Sequence, residues 1–325
     1  MHDIPYLLEV PRLRVQNANA ISSPHTWGFP AMSAFVGLMQ ALERCLHAEG
    51  IELKLDSVGV ICHRHEPQVS RSGHTHAFHL TRNPVGKKGD TAAIVEEGRT
   101  HLEITLVFAA GGAAADAHKQ GSGPDIEEAI ADILPTLRIA GGSIQPPLNR
   151  RGNTPRPQLV SVAETEEGQA KQNRWLLRRW LPGFALLSRD DLLHDHHAEL
   201  QKTDPQTDLL DAWLDLSRFN WVARHEDLQG GDEGKVHWER RGPAQGWIVP
   251  IPVGYGALGQ LHEAGAVEGA RDESTPFRFV ESLYSIGEWK SPHRLQSPSE
   301  LLWYVDNQEE DGLYRLRNDY ARIID

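Results

Sequence analysis

Imidazole titrates near neutral pH and serves as acid, base or metal ligand, so the histidine clusters are the first candidates for chemistry. His63 and His65 flank Arg64 at the end of an apolar run. Strand alternation would set both imidazoles on one face and Arg64 on the other. A metal-free ribonuclease uses such a pair as acid and base, but no spaced third group completes the arrangement here. His194-Asp-His196-His197 lies on an acidic helical stretch where His194 and His197 share a face. Spacing places no third ligand, so a solvated helical face is the better account and no metal site is expected. Gly254-Tyr-Gly256-Ala-Leu-Gly259 matches the dinucleotide fingerprint GxGxxG. Its context fails, because Pro250 and Pro252 interrupt the preceding strand and Gly265 and Gly269 break any following helix. No cofactor is expected. Cys45 and Cys62 lack metal-ligand spacing and read as buried thiols in a reducing compartment.

A second kind of chemistry is recognition without bond-breaking. Arg14 to Pro30 holds Asn17, Asn19, Ser22, Ser23, His25 and Thr26 beside Trp27 and Phe29, with no carboxylate between Glu9 and Glu43. Amides, hydroxyls and flat rings suit a flexible polar ligand, and single-stranded RNA fits that description. Aromatics at a loop–helix junction more often pack inward, so a buttress built on Trp27 and Phe29 stands beside the RNA reading. Leu80-Thr-Arg82-Asn83-Pro84 precedes a turn with Lys87 and Lys88, as in an extended hairpin crossing a phosphate backbone or an ordinary solvated loop. Glu96 and Glu97 point to opposite faces of a strand, and one of them is read as a partner of Arg99. Lys171, Arg174 and Arg178 share one helical stripe, a phosphate-tracking or protein-docking face.

The net charge of −12 opposes a general nucleic-acid binder, but it is unevenly spread. Residues 1–100 carry ten Lys/Arg and ten Asp/Glu, whereas residues 201–325 carry 13 and 22. From Ile133 to Ala163 there is no acid, while Arg138, Arg150, Arg151 and Arg156 are present. Local potential governs binding more than the total does. No apolar run approaches the ~18 residues of a membrane span. The N-terminus shows no signal-peptide pattern, and a cytoplasmic protein is expected.

The elements that must position these residues follow from periodicity. Residues 5–15 read as a strand in which Pro11 marks a bulge or an edge. Ser33 reads as the N-cap of a helix carrying Phe35, Leu38, Leu42 and Leu46, stopped by Gly50. Ile51–Cys62 and Thr100–Ala109 are strands, 66–98 a hairpin insertion, 111–123 a loose loop and Asp125–Leu137 a helix. The order β-α-β-excursion-β-α-β predicts an α+β fold. Its core would be a ferredoxin-like or RRM-like antiparallel sheet with two helices on one face and a protruding hairpin. RNA-recognition modules use the open face of that sheet, although no RNP1 pattern is present. Residues 1–165 form this core, and 166–325 a helical and mixed extension that completes it and docks partners. The extension holds a basic helix (169–181), acidic helices (190–201, 207–217), a Gly/charged linker (225–245), a strand Trp247–Val253, and short helices near 276–286 and 298–304.

Longer motifs carry more information than spacing. Gln16-Asn-Ala-Asn-Ala-Ile-Ser-Ser-Pro24, Thr26-Trp-Gly-Phe-Pro30, Cys62-His-Arg64, Leu80–Pro84, Ala92–Arg99 and Ala140-Gly-Gly-Ser-Ile144 resemble Csy2-type subunits of type I-F CRISPR surveillance complexes. Leu181–Ala185, Trp247–Pro252, Gly287-Glu-Trp289, Ser291–Arg294 and Leu301–Tyr304 continue the resemblance collinearly over nearly the whole chain. The resemblance implies a non-catalytic CRISPR RNA-binding subunit of antiviral defence. It would grip the 5′ handle of the guide RNA, pair with the large subunit and cap the backbone-subunit filament, with target DNA reached through the assembly. Segment 66–98 would be a thumb against the guide, although its Gly73-His-Thr-His76 tip is histidine-bearing where Lys/Arg is expected. Asn17, Asn19 and Ser23 would meet bases or ribose, and Trp27 would stack. Arg64, Arg82 with Asn83, Arg99 and Arg138 would neutralise phosphates, with Arg150, Arg151 and Arg174 behind them. Two alternatives stay open: a guide-processing endoribonuclease of the same fold, and a protein adaptor without RNA contact.

Overall fold

In the computed structural model, which describes residues 5–82, 84–86, 88–146, 155–218, 220–225, 236–241 and 246–324, the first strand is apolar on both faces. In β1 (Tyr6–Asn19), Leu8, Val10, Leu13 and Val15 enter one core while Leu7 enters another. Pro11 does make a bulge, with the register shifting between Val10 and Leu13 and Arg12 at φ 53°. A short hairpin, β2 (Ile21–Ser23) and β3 (Thr26–Trp27), leads to α1 (Met32–Ala48). The helix starts ahead of Ser33, because Ala31 stays extended after Pro30 and is the N-cap. Phe35, Leu38, Met39, Leu42 and Leu46 recur at helical spacing and bury α1 on the sheet.

β4 (Lys54–Ser72) runs far past Cys62 and turns at Gly73 into β5 (Thr75–Arg82), which pairs with β6 (Ile94–Glu97). β7 (Arg99–Gly111), α2 (Ala113–Lys119), α3 (Ile126–Ile133), β8 (Arg138–Ile139), β9 (Gly142–Gln145), β10 (Gln158–Ser161) and α4 (Glu166–Arg179) follow. The central order is β4–β7–β1–β9, entirely antiparallel, with α1 and α3 on one face. The other face is not open. Leu176, Leu177 and Trp180 at the end of α4 cover Leu7, Ile61, Val107 and Ala109. Strands that are apolar on both sides need cover on both sides. The segment 111–123 is likewise not a loose loop, since α2 buries Ala114 and Ala115.

The C-terminal half joins the same sheet. β11 (Phe184–Ser188) is followed by α5 (Asp190–Gln201), α6 (Leu209–Leu216) and a separate ribbon of β12 (Asn220–His225) with β13 (Val236–Arg241). β14 (Trp247–Ala257), β15 (Val280–Lys290), β16 (Trp303–Gln308), β17 (Leu313–Asn318) and α7 (Tyr320–Ile324) complete the chain. Because β4 pairs with both β11 and β16, the strands β4, β16, β17, β14, β15 and β11 close a ring. Trp303, fully buried, ties it across by donating its indole N–H to the Leu186 carbonyl at 2.8 Å. Three expectations are corrected here. Residues 280–290 are strand, not helix; 303–308 are strand after a short helical turn, Pro298–Leu301; and the linker contains β13. Short apolar runs satisfy both periods, and their partners decided.

Candidate nucleic-acid interface

The segment Arg14–Pro30 is more ordered than its composition suggests. β1 takes a second bulge between Val15 and Ala18, where Asn17 sits exposed at φ 58°. Asparagine tolerates that left-handed conformation, a structural reason for its place there. Asn19 folds onto the chain, its Nδ2 donating to the Ile21 carbonyl at 2.9 Å and its Oδ1 accepting from Ile21 N–H at 3.0 Å. Ser23 is buried, and its hydroxyl is bonded to that of Thr26 at 2.6 Å while accepting Thr26 N–H at 3.0 Å. It is therefore corrected from a base contact to the pin of the β2–β3 turn. The two aromatics part company. Phe29 stacks on Phe35 and meets Trp289 edge-on, whereas Trp27 stays 53% exposed and meets Phe78 of β5 edge-on.

Two cavities meet at Ser22, Pro30 and Ala31. One, of about 340 Å³, is walled by Trp27, Phe29, Phe184, Trp247 and Trp289, with Arg64 and His65 among its lining. Phe184 and Trp247 are substantially exposed at its surface. The other, of about 560 Å³, is lined by Asn19, Ser33, Ala34, Arg99 and Gly141, and also by Glu96 and Glu97. Arg99 holds Glu97 at 3.1 Å, so of the two glutamates it is Glu97 that partners the arginine. Arg138 sits beside this cavity, donating to the Gly141 carbonyl at 3.3 Å and the Ser143 hydroxyl at 3.2 Å. The N-terminus of α1 opens here without a side-chain cap and without an acidic residue in its first turn. Free amides and the positive end of a helix dipole together make an anion site.

Comparison with known proteins decides the family. A family model described as "CRISPR-associated protein (Cas_Csy2)" matches residues 8–316. The chain is also 45% identical, over 315 residues, to the CRISPR-associated protein Csy2 of Pseudomonas aeruginosa (strain UCBPP-PA14), covering 95% of this chain and 94% of that one. The chain belongs to the Csy2 family. The resemblance carried by the sequence motifs is thereby established.

In this Csy2-family chain the expected contact residues divide. Asn17, Asn19, Trp27, Arg64, Arg99 and Arg138 lie around the two cavities or on the adjoining bulge. The Arg64 side chain is 70% exposed and reaches Glu66 at 2.6 Å. Arg82 is exposed farther out on β5, and Arg174 lies on α4, across the sheet from α1. Asn83, Arg150 and Arg151 fall outside the described residues. Residue-level reading missed Phe184, Trp247 and Trp289, which reach the loop only because the strand ring closes. The one signal near any of them is the proline-flanked strand Trp247–Pro252, which carries a single aromatic.

The histidines have structural partners. A register shift between Cys62 and Arg64 interrupts the alternation that would have paired His63 with His65. His63 is held between the Pro182 carbonyl at 2.6 Å and the Thr105 hydroxyl at 2.7 Å, and His65 bonds the Gly28 carbonyl at 3.0 Å. His196 bonds Asp215 at 2.8 Å and His197 the Thr207 carbonyl at 2.9 Å, tying α5 to α6 and the turn before it. Among the described residues no three His, Cys, Asp or Glu could hold a metal ion together, and no helix is long and apolar enough to cross a membrane. Burial pushes the Cys62 thiol from 9.0 up to about 12, outweighing the lowering effect of a backbone hydrogen bond with Arg64. Cys62 should therefore resist iodoacetamide at pH 8 in the folded chain and react once unfolded, as read by peptide mass mapping. A raised folded pKa means its contribution to stability is complete below pH 9.0 and fades as pH climbs toward about 12.

Proposed function

We propose that this chain is a non-catalytic RNA-binding subunit of a type I-F surveillance complex in the cytoplasm. It grips the 5′ handle of the guide RNA, pairs with the large subunit, caps the backbone filament, and meets target DNA only through the assembly. The order β4–β7–β1–β9 with α1 and α3 on one face is read as its ferredoxin-like core, and β4–β5–β6 as the thumb. One observation carries the proposal. The uncapped α1 N-terminus, a site for phosphate, opens between exposed Trp27, a stacking surface, and a rim of Arg99 and Arg138. Asn17, Asn19 and Arg64 extend this cradle toward the aromatic cavity, and Arg82 reaches outward on the thumb.

The ribonuclease alternative finds no support in a His63 with both ring nitrogens occupied. The test uses the assembly purified through the large partner. Arg64→Glu combined with Arg82→Glu should strip guide RNA from it while the protein subunits stay together. Every phosphate no longer neutralised by an arginine should lower the magnitude of the log affinity versus log salt slope by about 0.7. Ultraviolet cross-links from the guide's leading nucleotides that fall wholly outside residues 14–100 would overturn the proposal. Cleavage of repeat RNA that disappears in His63→Ala would replace it with the enzyme.

A further inference from the structure

The outer face of α4 lies across the sheet from the α1 cradle and shares no residue with it. Leu176, Leu177 and Trp180 bury its inner side, which leaves Lys171, Arg174, Trp175 and Arg178 exposed. The three cations span about 10 Å along the helix axis. Trp175, 52% exposed, stands among them, and the Arg179 guanidinium lies 5.0 Å from its ring centroid. These five side chains line a cavity of about 510 Å³ that holds no carboxylate in its walls. The acid that meets Arg179, Glu9 at 3.5 Å, is itself only 3% exposed and is hidden beneath the helix. Burial raises the Glu9 carboxyl above its usual range, offset by Arg179.

Two neighbours extend the positive field. The turn Pro292–Arg294, bearing exposed Arg294, packs on α4. β10 sets Gln158 opposite Glu9, so the acid-free stretch containing Arg156 enters the sheet beside Arg179. A cationic strip of this kind persists in a chain of net charge −12.

We infer that this face binds an unpaired polynucleotide strand, as a contact separate from the α1 cradle. The cations match a phosphate backbone. The indole decides between polyanions, because it is clamped on one side by a guanidinium and half exposed, ready to stack a base. A duplex has no free base face to offer, and an acidic protein surface would leave the ring in water. Arg174 accordingly belongs to this strip and not to the guide cradle.

The experiment titrates the purified assembly, with its guide in place, with short labelled oligouridylate, oligothymidylate and a blunt duplex. Both unpaired strands should bind more tightly than the duplex, and their affinity ratio identifies whether the strand is RNA or DNA. The triple variant Lys171→Ala, Arg174→Ala, Arg178→Ala should lower the salt-slope magnitude by about 2. Trp175→Ala should weaken binding by about 5- to 150-fold, with Trp175→Phe restoring most of it. Guide content should not change in either, which separates this strip from the cradle. Melting temperatures should match the parent, since these side chains are exposed. Affinity and slope unchanged in both variants would overturn the inference. So would a triple variant that loses a protein subunit or changes self-association while still binding the strands.

Discussion

Ser33→Asp should raise the melting temperature of the chain and weaken its hold on guide RNA. The two effects come from one position. Ser33 lies in the first turn of α1, where no side chain caps the amides and the turn itself carries no acid, Glu97 across the cavity being held by Arg99. An aspartate there complements the helix, worth about 0.3–1 kcal/mol. The same carboxylate occupies the anion site that lines the cavity with Asn19 and Arg99. Displacing a phosphate from charge-assisted N–H bonds should weaken binding by about 1.5–3 kcal/mol, roughly 10- to 150-fold. Ser33→Ala serves as the control, leaving the amides open and changing binding little. Thermal melting and filter binding of the handle RNA, run on the same preparations, read both quantities. A Ser33→Asp protein that is more stable and binds RNA as the parent does would remove α1 from the site. Loss of stability together with binding would mean only a damaged fold.

Some of this molecule was legible residue by residue. Pro11 announced its bulge, and the Phe35–Leu46 spacing announced α1, because local sterics and a strong apolar period decide both. That one of Glu96 and Glu97 pairs with an arginine was readable from the segment, and the structure makes it Glu97 with Arg99. The motif Ala140-Gly-Gly-Ser-Ile144 acquires a reason only in three dimensions. A Cβ on Gly142 would lie 2.7 Å from Ala18 N and 2.9 Å from the Gln16 carbonyl, so β9 passes beneath the β1 bulge only as glycine. The aromatic cavity was not legible at all. Trp27 and Trp247 are 220 positions apart and come together because β11 and β16 both pair with β4. Nothing in either segment encodes that closure locally. Ser23 shows the converse error: a hydroxyl in a polar loop looks available until Thr26 is found bonded to it. Conversely, the helix order alone implies an open second sheet face, whereas the apolar residues on both sides of β1 require cover on both.

Gly254→Ala should be among the most damaging single substitutions in the chain, through the fold and not through any nucleotide. Gly254 opens the GxGxxG look-alike, yet it lies within β14, just after the register shift that follows Pro252, at φ 149°. A Cβ there would stand 2.0 Å from the Tyr314 carbonyl oxygen and 3.0 Å from Arg315 Cα. Both obstacles are backbone, so neither can rotate aside. Gly254 is paired with Arg315 across β14–β17, one of the six links that close the ring. Strain at the left-handed backbone and forced separation of the strands should together cost about 3–5 kcal/mol. Gly259, the last glycine of the same look-alike, meets nothing within 4 Å, and Gly259→Ala should stay within about 0.5 kcal/mol of the parent. Denaturant unfolding of the two variants makes the comparison without any ligand. Equal stabilities would mean that β17 does not approach β14 as described, and the ring would then be open. The variant also bears on the proposed RNA site, because Trp247, Pro250 and Pro252 on the same strand wall the aromatic cavity. A Gly254→Ala chain that survives should therefore lose guide RNA as well, although none of its cradle residues has been changed.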